Sequence, residues 1–158
     1  MVSLFTDIAS EMLYPVTPIF LTTVLGSSMA LVGVIEGIAE VTAGLLKGYF
    51  GNLSDKIGKR SVFVIIGYGI SAIAKPLPGI FQNISVVLTS RVSDRIGKGI
   101  RTAPRDALLA SYSEGSSGAV FGFHRAMDTL GAAIGPVIAL ILLNFYSNNF
   151  QLIFLVII

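Results

Sequence analysis

The chain contains no cysteine and a single histidine, His124, among its 158 residues. Without thiols it can form neither disulfide bridges nor a thiolate metal site, and one imidazole cannot build a multi-histidine centre. No nucleophile, base and orienting group occur at a recognisable spacing either, which disfavours catalysis. We therefore expect no metal, no cofactor and no enzyme activity.

Charged residues are scarce as well. They make up 13% of the chain, against about 25% in soluble domains, whereas hydrophobic residues make up 53%. The mean hydropathy is +0.81. The net charge of +2 comes from basic residues inside or beside apolar stretches and not from a solvated arm, which argues against nucleic acid as a partner. This composition indicates an integral membrane protein whose first partner is the lipid bilayer.

Apolar stretches long enough to cross a bilayer recur along the chain. The N-terminus is a poor match to a cleavable signal peptide, because it lacks a basic leader and carries Asp7 and Glu11. The predicted fold is an all-α polytopic transmembrane bundle in one unit, residues 1–158, with five complete helices and the start of a sixth. We place these first to sixth segments at about 4–26, 29–50, 61–81, 85–112, 118–146 and 149–158.

The short connections set the orientation. Lys56, Lys59 and Arg60 lie between the second and third segments, whereas the first-to-second, third-to-fourth and fifth-to-sixth connections carry no charge. Basic loops stay on the cytoplasmic side of a membrane. We therefore expect the N-terminus to be cytoplasmic and the protein to lie in the cytoplasmic (inner or plasma) membrane.

The fourth segment carries seven charges on about 140° of one helix face. They are Arg91, Asp94, Arg95, Lys98, Arg101, Arg105 and Asp106. A charge that faces lipid at mid-depth costs about 2.5 to 3.5 kcal/mol, so a spanning helix must turn this stripe towards a polar pathway. The alternative is a basic amphipathic helix that lies flat on the cytoplasmic leaflet.

Three motifs fall in register along the chain. Residues 51–60 read Gly-Asn-Leu-Ser-Asp-Lys-Ile-Gly-Lys-Arg, Arg91 is followed by Gly97 and Pro104, and residues 131–136 read Gly-Ala-Ala-Ile-Gly-Pro. This set resembles the major facilitator superfamily. Residues 94–108 and 121–128 resemble, more narrowly, prokaryotic members of that family without an assigned substrate. The resemblance implies the N-terminal six-helix half of a twelve-helix transporter and makes the fourth segment a spanning helix. Asp94 and Arg95 depart from the family's usual Gln and Gly.

The resemblance also implies a gating loop whose aspartate acts as a conformational latch. This group comprises Gly51, Asp55, Lys56, Gly58, Lys59 and Arg60, and we add Arg105 and Asp106 as gating contacts near the same end. The alternative is a sharp basic turn that only sets the topology. On the fifth segment, Gly131, Gly135 and Pro136 predict a bend, because proline removes a backbone hydrogen bond.

Acids on other segments complement the basic stripe. The candidate substrate-pathway or coupling residues are Asp7, Glu11, Glu36, Glu40, Arg91, Asp94, Arg95, Lys98, Arg101, Arg125 and Asp128. If the acids neutralise the bases, the interior is a structural ion-pair network. If bases are in local excess, the interior attracts an anion and leaves one carboxylate to carry a proton. His124 reads as a proton-sensitive group or as a structural residue.

Together these features predict a secondary active transporter that moves a small solute by alternating access, coupled to protons, with an anionic or zwitterionic substrate. The resemblance implies that the first, second, fourth and fifth segments supply cavity or gate residues and that the third is largely peripheral. A missing C-terminal half or a second copy would complete the bundle. The alternatives are an exporter of lipophilic drug-like compounds, a non-transporting half-bundle that serves as a membrane interaction module, and a passive pore.

Overall fold

The computed structural model describes residues 2–113, 117–146 and 149–157, and within these ranges every regular element is a helix. The helices are α1 (Val2–Thr23), α2 (Met29–Ile57), α3 (Arg60–Ala74), α4 (Leu77–Ile80), α5 (Ile84–Tyr112), α6 (Ser117–Phe145) and α7 (Phe150–Val156). The predicted all-α class is confirmed. The predicted end of the last segment at residue 158 lies outside the described residues.

One predicted boundary is wrong for a local reason. α2 continues to Ile57, so most of the predicted loop is helical, and it stops at Gly58, whose φ of +70° lies in the left-handed region that favours glycine. The Gly58 N–H closes the helix by donating to the Ser54 carbonyl oxygen at 2.9 Å. The third segment has nearly the predicted bounds, Arg60–Ile80, but it is interrupted between α3 and α4 at Lys75 and Pro76, because proline cannot continue the hydrogen-bond ladder.

Three stretches of the described chain are long and apolar enough to cross a membrane, namely Met29–Ile57, Arg60–Ile80 and Gly118–Phe145. α5 is more polar, but it packs along the first two. It runs parallel to α2, because Arg91 lies beside Glu36 and Ala103 beside Gly51, and it runs antiparallel to α3. A helix enclosed in this way crosses the same thickness as its neighbours, which favours a spanning α5 over a flat surface helix.

An apolar core fills the end of the bundle where α1 ends and α2 begins. Its buried members include Leu13, Val16, Phe20, Leu21, Val32, Val87, Ile153 and Phe154. The Phe20 and Phe154 rings meet edge to face, with centroids 5.2 Å apart. Most of the charged residues lie towards the opposite end, which carries the α2–α3 turn, so the two halves of the bundle differ in chemistry.

Glycines set the closest helix contacts. A Cβ atom on Gly67 of α3 would lie 2.6 Å from the Gly97 carbonyl oxygen of α5, and one on Gly135 of α6 would lie 2.8 Å from the Ile8 carbonyl oxygen of α1. These pairs of helices are therefore in contact through their backbones, and larger side chains do not fit between them.

We expect Gly67→Ala to destabilise the protein, because the added methyl group would also lie 2.7 Å from Arg101 Cβ. Overpacking of this kind costs about 1 to 3 kcal/mol. Gly69→Ala is the matched control in the same helix, since apart from neighbouring residues of α3 no described atom lies within 4 Å of its Cβ position. Thermal unfolding in detergent should show a lowered midpoint for Gly67→Ala alone. Equal midpoints would contradict the close crossing of α3 and α5.

Candidate functional site

The first charged pair of the interior joins α5 to α2. Arg91 donates from Nε to Glu36 Oε1 at 2.7 Å and from Nη2 to Glu36 Oε2 at 2.6 Å. The Arg91 side chain is 1% exposed and that of Glu36 is 23% exposed. A two-point pair of this geometry holds two helices in a fixed register.

One turn further along α5, Arg95 is enclosed by an aromatic ring and a second acid. Its guanidinium carbon lies 5.2 Å from the centroid of the Tyr14 ring, which also receives Arg91 at 5.3 Å. Arg95 Nε is 3.3 Å from Glu40 Oε2. α1, α2 and α5 therefore meet at two buried cations that share one aromatic side chain.

A third buried group includes a residue that sequence reasoning missed. Lys75, which follows α3, donates to the Thr6 carbonyl oxygen at 3.1 Å and lies 4.0 Å from Asp94 Oδ1. Ser71 of α3 accepts a hydrogen bond from Arg101 Nη1 at 2.8 Å. The third segment is thus not merely peripheral, because it supplies polar partners to α5. The available signal was a lone lysine in an apolar stretch.

A cavity of about 330 Å³ lies between α1, α2, α5 and α6. Its lining consists of Asp7, Glu11, Glu40, Ala43, Gly44, Lys47, Lys98, Gly99, Arg101, Thr102, Arg105, Arg125 and Asp128. These are the four helices that we expected to line the pathway. The structure brings together most of the predicted pathway residues here, but it places Glu36, Arg91, Asp94 and Arg95 outside the lining.

The charges in this cavity are unevenly paired. Arg101 Nη2 is 3.7 Å from Asp7 Oδ1, and Arg105 Nη2 is 3.5 Å from Asp128 Oδ2. Within the described chain, no opposite charge lies within 4.0 Å of Glu11, Lys47, Lys98 or Arg125. The unpaired lining groups are therefore three cations and one acid.

A hydroxyl group joins the paired acids at one side of the cavity. Ser3 Oγ is 3.1 Å from Asp7 Oδ2 and 2.9 Å from Asp128 Oδ1, and it accepts a hydrogen bond from Arg105 Nη1 at 2.9 Å. His124 Nδ1 is 3.2 Å from Asp128 Oδ2. Sequence reasoning did not single out Ser3, because a serine in a first helical turn has no distinguishing pattern.

The predicted gating group lies around the α2–α3 turn. Asp55, in the last turn of α2, accepts hydrogen bonds from Arg60 Nε at 3.0 Å and Nη2 at 2.7 Å. The Asp55 side chain is exposed, as are those of Lys56 and Lys59, and the Arg60 side chain is partly exposed. A Cβ atom on Gly51 would lie 3.0 Å from Ala103 Cβ of α5. Asp55 and Arg60 therefore form an ion pair, and the role of Asp55 as a latch stays a prediction.

The remaining predicted groups lie on α5 and α6. Asp106 Oδ1 is 3.2 Å from Arg105 Nη2, so the two residues contact each other, and their gating role stays a prediction. Gly131 and Gly135 face α1, where their Cβ positions lie within 3.4 Å of its atoms. Pro136 lies inside the continuous helix α6, and the bend stays a prediction.

A second, apolar cavity of about 460 Å³ lies beside the charged one. It is lined by Ser3, Leu4, Leu109, Ala119, Val120, Phe123, His124 and Met127. Ser3 and His124 therefore separate an apolar space from the charged cavity at the junction of α1, α5 and α6.

The chain is similar to known membrane proteins along its whole length. It is 37% identical to an uncharacterised MFS-type transporter of Methanocaldococcus jannaschii over 98% of this chain and 38% of that protein. It is 29% identical to the riboflavin transporter RibZ of Clostridioides difficile, over 68% of this chain and 23% of that one. It is also 26% identical to the quinolone resistance protein NorA of Staphylococcus aureus, over 77% and 31%.

The chain thus spans less than two fifths of the length of each of these relatives. The family model described as Major Facilitator Superfamily matches residues 1–158, which is the entire chain. The helical fold, the apolar spans and this full-length match agree with the three sequence motifs. The chain belongs to the Major Facilitator Superfamily.

Proposed function

We propose that the protein carrying this chain is a secondary active transporter that binds an anionic or zwitterionic solute in the charged cavity and moves it by alternating access, coupled to protons. The observation that carries this proposal is the composition of the cavity wall. Five basic and four acidic residues line it, and most of the groups without an ion pair are basic. A volume of about 330 Å³ suits a small molecule.

The position of the cavity supports the alternating-access part. Charged groups surround it in the half of the bundle that carries the α2–α3 turn, and the apolar core closes the other half. The positive-inside rule assigns the α2–α3 turn, with Lys56, Lys59 and Arg60, to the cytoplasm. On this assignment the described conformation presents its cavity to the cytoplasmic side, and the N-terminus is cytoplasmic.

The proposal also concerns the open glycine face of α2. Four glycines of α2 have open space at their Cβ positions, with no described atom within 4 Å apart from neighbouring residues of the same helix. These are Gly33, Gly37, Gly44 and Gly48. Gly44 also lines the charged cavity. Small residues allow close helix approach in membranes. We propose that a C-terminal half, or a second copy of this chain, packs on this face and completes the cavity.

Transport by the full-length protein in sealed vesicles tests the proposal. We expect an imposed pH gradient to drive accumulation of at least one anion or zwitterion from a panel that also contains lipophilic cations. A vesicle with equal pH on both sides is the control, and it should show equilibration without accumulation. Accumulation that does not depend on the pH gradient would contradict proton coupling. A flux that does not saturate as the solute concentration rises would indicate a passive pore.

The second candidate function is export of lipophilic compounds. The apolar cavity lined by Leu4, Leu109, Phe123 and Met127 favours it, together with the similarity to the quinolone resistance protein. The same vesicle panel separates the two proposals, since an exporter would select the lipophilic cations. If the protein transports no compound of the panel, the result would favour the alternative of a non-transporting membrane interaction module.

A further inference from the structure

The Ser3 hydroxyl group lies where α1, α5 and α6 meet. Three polar atoms surround its oxygen: Asp7 Oδ2 at 3.1 Å, Asp128 Oδ1 at 2.9 Å and Arg105 Nη1 at 2.9 Å. Asp7 and Asp128 also line the charged cavity. The hydroxyl group therefore connects two carboxyl groups that belong to different helices.

The hydrogen-bonding capacity of the Ser3 hydroxyl group determines how many protons this cluster holds. A serine hydroxyl group has one proton to donate and two lone pairs that accept. Arg105 donates to one lone pair, and the hydroxyl proton is directed to one of the two carboxylates. The contact with the other carboxyl group is a hydrogen bond only when that group carries a proton, which it donates to the second lone pair.

The neighbouring groups decide which acid is protonated. Asp128 Oδ2 has two further donors, His124 Nδ1 at 3.2 Å and Arg105 Nη2 at 3.5 Å, which stabilise its negative charge. Asp7 Oδ1 has Arg101 Nη2 at the longer distance of 3.7 Å. The negative charge of Asp7 is therefore less well stabilised than that of Asp128, so the proton belongs on Asp7 Oδ2.

We propose that Asp7 and Asp128 hold one proton between them through Ser3, and that this is the proton that couples to solute movement. Transfer is balanced: Asp7 Oδ2 gives its proton to Ser3 Oγ while the Ser3 hydroxyl proton passes to Asp128 Oδ1, which leaves Asp7 charged. The coupling part rests on the proposed function, whereas the shared proton does not. Ser3 acts as a positioning residue that relays the proton between α1 and α6.

Other titratable and charged groups face this pair from all four cavity helices. They are Glu11 of α1, Glu40 and Lys47 of α2, Lys98, Arg101, Arg105 and Asp106 of α5, and His124 and Arg125 of α6. His124 is the rival carrier, because a protonated imidazole would also pair with Asp128. The neutral ring already donates from Nδ1, so the observed contact needs no additional proton there.

Infrared spectroscopy of the purified full-length protein at neutral pH tests the shared proton directly. We expect a protonated carboxyl C=O band that Asp7→Asn removes, and that Ser3→Ala shifts because the carboxyl group loses its acceptor. Ser10→Ala is the matched control on α1, since the Ser10 hydroxyl group is buried without a hydrogen-bond partner in the described chain. A band that survives Asp7→Asn, or disappears in His124→Gln, would overturn the assignment.

Proton movement in vesicles tests the coupling part. We expect Ser3→Ala to slow proton-driven accumulation about tenfold or more, Ser10→Ala to leave it unchanged, and Ser3→Thr to restore it because the hydroxyl group returns. Accumulation unaffected by Ser3→Ala would overturn the relay. If the unmodified protein shows no pH-driven accumulation, the proposed function fails, and the infrared band still decides whether the two acids share a proton.

Discussion

Arg91→Ala is expected to lower the free energy of unfolding by about 3 kcal/mol or more, because it leaves the Glu36 carboxylate without its partner inside the bundle. Removing one member of a buried pair costs about 3 to 5 kcal/mol, and the partial exposure of Glu36 places this case near the lower limit. Unfolding of the purified protein in a denaturing detergent measures the loss. The buried guanidinium group also contacts Tyr14, which adds lost packing to the lost charge.

Arg60→Ala is the matched control for this prediction. It removes the same side chain from an ion pair of similar length, 2.7 Å to Asp55, but Arg60 is 33% and Asp55 56% exposed. An exposed pair contributes about 0 to 1 kcal/mol, so this variant should unfold almost like the unmodified protein. A double replacement of Arg91 and Glu36 by methionine should recover most of the stability, because no buried charge remains unpaired. Equal losses in the Arg91 and Arg60 variants would mean that water reaches the Arg91 pair.

The amino-acid sequence predicted that the interior is charged, but it did not predict which charged residues contact one another. The stripe on α5 required a polar environment because charges facing lipid are unfavourable, and this argument holds whatever the partners are. Spacing within one helix could not identify those partners, since they lie on other helices. Arg91 pairs with Glu36 and Arg95 lies near Glu40, but Arg101 pairs with Asp7 on α1.

The contributions of α3 were beyond the sequence patterns for a related reason. Gly67 matters because it lies against Gly97, and Gly69 in the same helix contacts nothing comparable, although their local sequences are alike. Lys75 likewise acquires its importance from the Thr6 carbonyl oxygen of α1. Long-range packing decides both cases, and hydrophobic periodicity carries no information about it.

Ser3 illustrates the same limit within the candidate site. Asp7, Arg105 and Asp128 could be selected because ionisable residues in membrane spans are rare and tend to be functional. A serine carries no such signal, and its significance arises only from the three helices that converge on its hydroxyl group. The sequence therefore identified the charged members of the site and missed the neutral residue that connects them.

Lys98→Gln is expected to weaken binding of an anionic solute about 10- to 100-fold. Lys98 lines the charged cavity and has no ion pair in the described chain, so its ammonium group is available to a ligand. Hydrogen bonds to charged groups contribute about 1.5 to 3 kcal/mol, and about 1.4 kcal/mol corresponds to a tenfold change in affinity. The measurement is the dissociation constant, in detergent, of the anion that the vesicle panel selects.

Lys59→Gln removes the same charge outside the cavity and is the matched control. Lys59 is exposed between α2 and α3, so its loss changes the net charge of the protein without removing a lining group. If binding depended only on the overall field, both variants would lose affinity, and the loss would be small at physiological salt because distant charges are screened. If the cavity binds the anion directly, Lys98→Gln alone loses affinity, and the loss persists at high salt. Unchanged affinity in Lys98→Gln would place the solute elsewhere and strengthen the case for the apolar cavity.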